Sequence, residues 1–146
     1  MADSGPKLSV AGRADRDAVI GLWRDCALTR PWNDPVADFA AAIGNPTSDI
    51  LLLAEGDTPI ATVMVGFDGH RGWVYYLAVH PGHRRRGLGG RMMKAAEAWL
   101  RERGSPKIQL MVRSDNADVI AFYEALGLER QDVVTLGRRL DHETGA

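Results

Sequence analysis

"WVYYLAVHPGHRRRGLGGRMM", residues 73–93, is the stretch from which the architecture is read. WVYYLAVHP is aromatic and β-branched, as a strand requires. Pro81 and Gly82 end it, and Arg84, Arg85 and Arg86 lead to Gly87, Gly89 and Gly90. From Gly87 to Arg103 the period changes: Leu88, Met92, Ala96, Trp99 and Leu100 recur at helical spacing, and Gly104 with the following SP stops the helix. A strand entering a glycine-rich loop that opens a helix makes an anion site from backbone alone, because the first helical amides lack intrahelical partners and the macrodipole favours negative charge. The glycines let a phosphate approach closely, and the arginines add charge-assisted donors. A solvated basic loop with glycines serving tight helix packing is the plainer reading of the same residues. There is no GK[ST] and no G-x-G-x-x-G spacing, so neither a P-loop nor a dinucleotide fingerprint is present.

Upstream, KLSVAG reads as a strand, ADRDAVIGLWRDCAL as a helix with Val19, Leu22, Trp23 and Cys26 on one stripe, and DPVADFAAAIGN as a second helix after RPWNDP. DILLLAEG, TPIATVMVGF and WVYYLAVHP are three strands joined by tight turns, which predicts an antiparallel meander. Downstream, KIQLMV is a strand. Ser114 or Asp115 caps a helix bearing Val119, Phe122, Tyr123 and Leu126, and DVVTLGRRL is a final strand. The order β-α-α-β-β-β-α-β-α-β predicts an α/β (α+β) fold: a mixed, mostly antiparallel six- to seven-stranded sheet with about four helices on its two faces. One domain is expected over residues 7–140, with loose tails at 1–6 and 141–146.

With 146 residues, 45% hydrophobic and 25% charged, the chain can bury a real core, and its formal net charge of −1 argues against a general nucleic-acid or membrane-surface binder. Cys26 is the single cysteine, so no intrachain disulfide forms. His70, His80, His83 and His142 show no ligand pairing, and no metal is expected. The start MADSGPKLSV lacks the pattern of a secretory signal, and ILLLA at 50–54 is too short to span a bilayer, so a cytoplasmic location is expected.

VHPGHRRRGLGGRMM resembles the R/Q-x-x-G-x-G/A cofactor motif of the GNAT superfamily of acyl-CoA-dependent N-acetyltransferases. SDNADVIAFYEALGL is similar to that superfamily's second signature, N-x-x-x-x-x-F/Y-Y-E-x-x-G-F. The two stand in the right order, and the resemblance covers roughly residues 7 to 140. LWRDCALTRPWNDP and GFDGHRGWVYYLAVHP resemble the YpeA-type branch of small bacterial members.

The resemblance implies that acetyl-CoA is the cosubstrate. Its pyrophosphate would lie on the loop from Arg84, against the amides of Arg85, Arg86, Gly87, Leu88, Gly89 and Gly90. The backbone of Leu77, Ala78 and Val79 would pair with pantetheine as with an added strand. Asn116 matches a position that often touches the cofactor arm, although a polar residue in a first helical turn needs no such role. Tyr123 matches the tyrosine that protonates the departing thiolate; the alternative is that it only packs. The usual places of the general-base glutamate correspond to Trp73 and Met111, neither of which accepts a proton. That points to an α-amine or another weakly basic acceptor, unless Asp34, Asp68 or Glu55 builds an acid pocket. Trp32, Asn33 and Asp34 lie where the family shapes its acceptor entrance; Trp23 and Cys26 read as packing. Tyr75 and Tyr76 alternate along a strand, so at most one should face the cleft. The expected partners are acetyl-CoA and an amine of a small molecule, peptide or protein N-terminus, with a homodimer left open. The alternative function is an acyl-CoA-binding regulatory module without transferase activity.

Overall fold

A computed structural model describes residues 5–141, so the expectation for His142 lies outside the described residues. The chain divides after Met111 into two compact units.

The first unit is a five-stranded sheet in the order β1-β2-β3-β4-β5. Its strands are β1 (Lys7–Val10), β2 (Ser48–Glu55), β3 (Thr58–Phe67), β4 (Gly72–Val79) and β5 (Ile108–Gln109). β1 to β4 are antiparallel neighbours, and β5 joins β4 in parallel after a helical crossover. The expected meander is therefore present. α1 (Arg16–Asp25) and α2 (Pro35–Gly44) precede the long strands, and α3 (Leu88–Glu102) connects β4 to β5.

Strand alternation divides the core between two faces. Ile50, Leu52 and Ala78 bury against Val19, Leu22 and Trp23 of α1 and Phe39 and Ala42 of α2. Leu51, Leu53, Val63 and Val65 point the other way and are also buried. That second face takes α3, whose Met92, Met93, Ala96, Trp99 and Leu100 form its buried stripe. The Trp99 indole N–H donates to Asp49 on β2 at 2.9 Å, tying the helix to the sheet. Gly72 is required where α3, β4 and β5 converge: a Cβ there would lie 2.5 and 2.6 Å from the Leu100 methyls and 2.9 Å from the Lys107 carbonyl oxygen.

The second unit contains α4 (Ala117–Ala125). Asn116 caps it, its side-chain oxygen accepting the Val119 N–H at 3.3 Å, in place of the expected Ser114 or Asp115. Val119, Phe122 and Leu126 share a stripe as read from the sequence, yet none is buried.

The sheet has five strands, not six to seven. KIQLMV supplies only Ile108 and Gln109, because β4 and β5 meet at just two residue pairs. DVVTLGRRL forms no strand: Val133, Val134, Leu136 and Leu140 are 75 to 91% exposed, and β-branched content makes no ladder without a neighbour to share hydrogen bonds.

Candidate active site

β4 organises the site through one irregularity. Its register with β3 runs Met64↔Tyr75 and then Thr62↔Ala78, so Tyr76 and Leu77 together oppose Val63. This is a β-bulge, and Tyr76 adopts the left-handed φ of 51° that it demands. Such a conformation costs a non-glycine residue roughly 1–2 kcal/mol, so neighbours must hold it. The Tyr76 ring stacks on Trp23 at 3.9 Å and 11°, and its hydroxyl donates to Asp38 of α2 at 2.7 Å. The buried Thr62 hydroxyl accepts from the Trp23 indole N–H at 3.1 Å and donates to the Tyr76 carbonyl at 3.4 Å. Burial, and then the Asp38 carboxylate, push the Tyr76 phenol far above its ordinary range.

The bulge overturns the expected alternation of Tyr75 and Tyr76. Tyr75 is the cross-strand partner of Met64, which packs on the α1–α2 core, and Tyr76 packs on that same core. Both side chains therefore lie on one face of the sheet. Tyr76 is occupied by its stack, and Tyr75, 44% exposed, is the one available to a ligand.

Beyond the bulge, β4 presents a free edge. It pairs with β5 only at Gly72–Ile108 and Trp73–Gln109, and among the described residues no strand covers that edge from Val74 to Val79. His80 N–H donates to the Ile60 carbonyl at 2.8 Å, which fixes the ladder's alternation. Ala78 therefore turns its backbone toward β3, while Leu77 and Val79 turn theirs to the open edge. Leu77 and Val79, and not Ala78, thus turn their backbone groups outward. The Val79 carbonyl accepts from the Cys26 thiol at 3.2 Å. Burial raises that thiol's pKa, and the Arg84 charge opposes the rise. Cys26 packs against the α1–α2 core, as its helical stripe implied, and adds this one polar contact.

The strand continues into a 3-10 turn at Pro81–His83, where His80 Nδ1 accepts the Gly82 N–H at 3.0 Å. Arg85 has φ 66° and Gly87 φ 72°, two left-handed residues flanking Arg86. Arg91 N–H donates to the Gly87 carbonyl at 3.1 Å, so the Leu88, Gly89 and Gly90 amides precede the helical ladder. The loop thus leads into a helix N-terminus, the kind of backbone that suits an anion. Arg86 lies 3.5 Å from Glu55, whose other oxygen meets His83 Nε2 at 2.8 Å. Those contacts, His83 first, hold the Glu55 carboxyl below its usual range.

The expected acceptor residues separate. Asp34 caps α2, accepting from Val36 and Ala37 N–H at 3.0 and 3.2 Å, so its carboxylate has a structural task. Trp32 is 51% exposed just before that cap, and the Asn33 N–H donates to the Arg30 carbonyl. Asp68, one of the three carboxylates considered for an acid pocket, is engaged in the β3–β4 turn. It accepts from His70 and Arg71 N–H at 2.8 and 2.7 Å and from the Trp73 indole N–H at 3.2 Å. These donors, the Arg71 amide first, hold its carboxyl below the usual range. Tyr123, within α4, packs edge-on to Phe122 at 5.0 Å, and burial pushes its phenol up to about 12. Among the described residues no helix is long and apolar enough to cross a membrane, and no three metal-ligating side chains gather.

The model of the acetyltransferase (GNAT) family matches residues 16–128. An acetyltransferase of Pectobacterium atrosepticum is 50% identical over 127 residues, covering 86% of this chain and 89% of its own. Among solved structures, AAC(6')-Iy in complex with the bisubstrate analog CoA-S-monomethyl-acetylneamine superposes with a TM-score of 0.79 at 15% identity, over 93% of this chain and 99% of that one. The ribosomal-protein-S18-alanine N-acetyltransferase of Escherichia coli gives 0.72 at 24% identity, over 84% and 76%. At these identities the two structures speak to the fold.

Proposed function

This chain belongs to the acetyltransferase (GNAT) family, and we propose that it moves an acetyl group directly from acetyl-CoA to an α-amine, on a small molecule, a peptide or a protein N-terminus. The observation that carries this is the uncovered edge of β4 running straight into the amides of the Arg84–Gly90 loop. An extended arm with two amide groups suits the first, and a diphosphate suits the second. Residues 7–140 act as one catalytic domain in this reading. Placement in the YpeA-type branch rests on LWRDCALTRPWNDP and GFDGHRGWVYYLAVHP.

The amine nitrogen attacks the thioester carbonyl, the carbon–sulfur bond breaks, and coenzyme A leaves as a thiolate. Outward-facing N–H groups of β4 near Leu77 polarise the carbonyl oxygen. Tyr123, its phenol raised to about 12, stays protonated throughout the working range. Against a thiol near 8.5, complete proton transfer from it would be uphill by about 5 kcal/mol. Its role is therefore to donate a hydrogen bond to the nascent thiolate, while the proton that ends on sulfur comes from the amine through water.

The choice of an α-amine follows from which carboxylates are available. Glu55 is engaged with His83 and Arg86, Asp34 with α2, and Asp68 is held ionised by three donors, so none is poised as a base. A lysine-type amine near 10.4 is neutral in roughly one molecule in 2,500 at pH 7, a cost of about 4.6 kcal/mol. An α-amine near 7.7 to 8.0 needs only about 1 kcal/mol. Thermal unfolding with acetyl-CoA, ATP and NAD in parallel tests the cofactor: saturating acetyl-CoA alone should raise the midpoint by roughly 5 to 10 °C. Thiol release with a panel of amines tests the acceptor. Efficient turnover of simple alkyl amines near neutral pH, with none of α-amines, would overturn the α-amine assignment.

A further inference from the structure

A shallow, solvent-open depression of about 330 Å³ lies at the end of β4 away from the Arg84–Gly90 loop, lined by Asn45, Thr47, Phe67, the exposed Asp68, Trp73 and Tyr75, with Ser48 and Gly66 completing its wall. Asp68 is the one charged side chain in that lining. Its three donors are two backbone amides and an indole, all neutral, so they stabilise the anion without cancelling its charge. Arg71, adjacent to it in the turn, sends its guanidinium to the His70 carbonyl instead. Among the described residues no cation lies within ion-pair distance of Asp68. A fixed carboxylate between a tryptophan and a tyrosine is what a cationic group with an apolar stem requires.

The register connects this depression to the reacting centre. Trp73 and Tyr75 pair with Gly66 and Met64, so both project from the face on which α1 and α2 lie. Leu77, at the open edge, is four residues beyond Trp73, about 13 Å at the ordinary strand rise. Tyr75 stands between.

We propose that this depression binds a second, protonated nitrogen on the acceptor. The substrate class is then a peptide with a free α-amine and a lysine or arginine two residues on, since two extended residues add roughly 7 Å to the reach of a basic side chain. This deepens the acetyl-transfer reading above and rests on it. The stem lies along Tyr75 and Trp73 while the cation reaches Asp68. An acceptor carrying a carboxylate at that end is repelled.

The test compares alanyl-alanyl-argininamide with the tripeptide amides that end in norleucine and in glutamic acid as acceptors, following coenzyme A thiol release. The arginine peptide should show a kcat/KM at least tenfold above the norleucine peptide, chiefly through KM, with the glutamate peptide poorest. Asp68→Asn preserves an acceptor for the turn amides and removes the charge, and should bring the arginine preference below threefold. Asp57→Asn, at the opposite end of β2 and β3, should leave the preference intact. A wild-type ratio near one, or a preference that survives Asp68→Asn, overturns the proposal. A second measurement needs no turnover: alanyl-alanyl-argininamide titrated into the protein with coenzyme A should quench tryptophan emission saturably, less so in Trp73→Phe and at tenfold higher concentration in Asp68→Asn. Absence of saturable quenching overturns the cation site. Quenching as expected with no thiol release from any acceptor refutes acetyl transfer and leaves the cation site standing.

Discussion

In the proposed reading, the two ends of β4 would recognise their ligands differently. Toward α3, the chain offers backbone: the outward N–H and C=O groups of Leu77 and the N–H of Val79, then the amides that follow the left-handed Arg85 and Gly87. Toward the β3–β4 turn, it offers side chains: the Asp68 carboxylate, the Trp73 indole and the Tyr75 phenol. A backbone site accommodates a constant ligand, because amide geometry hardly depends on sequence. A side-chain site changes with each substitution and suits the variable partner. The bulge at Tyr76 separates the two, and its support comes from Trp23, Thr62 and Asp38.

If that shared support is removed, both ends should fail together. Trp23 is fully buried, contacts Tyr76 and donates to Thr62, so Trp23→Ala should lose about 3–5 kcal/mol in urea unfolding. Acetyl-CoA affinity and acceptor selectivity should fall in parallel; loss of only one would break the picture of a common scaffold.

Tyr123→Phe should lower kcat by about 100-fold while leaving the KM for acetyl-CoA nearly unchanged, measured by steady-state thiol release. The raised phenol also sets a sign. Because the folded value, about 12, exceeds the ordinary 10, the proton and the stability linked to it are retained below pH 10 and lost as pH climbs toward 12. Rate profiles between pH 6 and 9 should show only the acceptor amine's rising limb.

Gly87→Ala isolates the backbone end. Its φ of 72° costs an alanine roughly 1–2 kcal/mol. Calorimetry should record acetyl-CoA binding weakened about tenfold, with the ranking of acceptors preserved. The smallest effect is expected for Glu55→Gln, which releases Arg86 toward the anion loop. Acetyl-CoA should bind no more than about threefold tighter, and 0.5 M salt should erase the gain.

Much of this molecule is legible in its sequence. The meander, the helix after Gly87 and the stripe Val19–Leu22–Trp23 all follow from periods of two and 3.6 residues and from glycine placement. The errors occurred where pairing decides the outcome. DVVTLGRRL has strand composition and no partner, and KIQLMV keeps only two ladder residues. Tyr75 and Tyr76 should have pointed apart; a bulge has no signature in the residues that form it, since it arises from the count of residues on the opposite strand. Asp34 caps α2, a role the Asn-Asp-Pro run preceding an apolar helix already signals.

Sequence by itself determined the secondary elements, the antiparallel meander and the glycine loop, because dihedral preference and side-chain period act over a few neighbouring residues. Only the tertiary structure decided that Trp23 and Thr62, 39 positions apart, would hold a strained Tyr76, and that Asp68 would face an aromatic depression without a cation. Those outcomes depend on which strand lies beside which and in what register, and short-range preferences do not encode that.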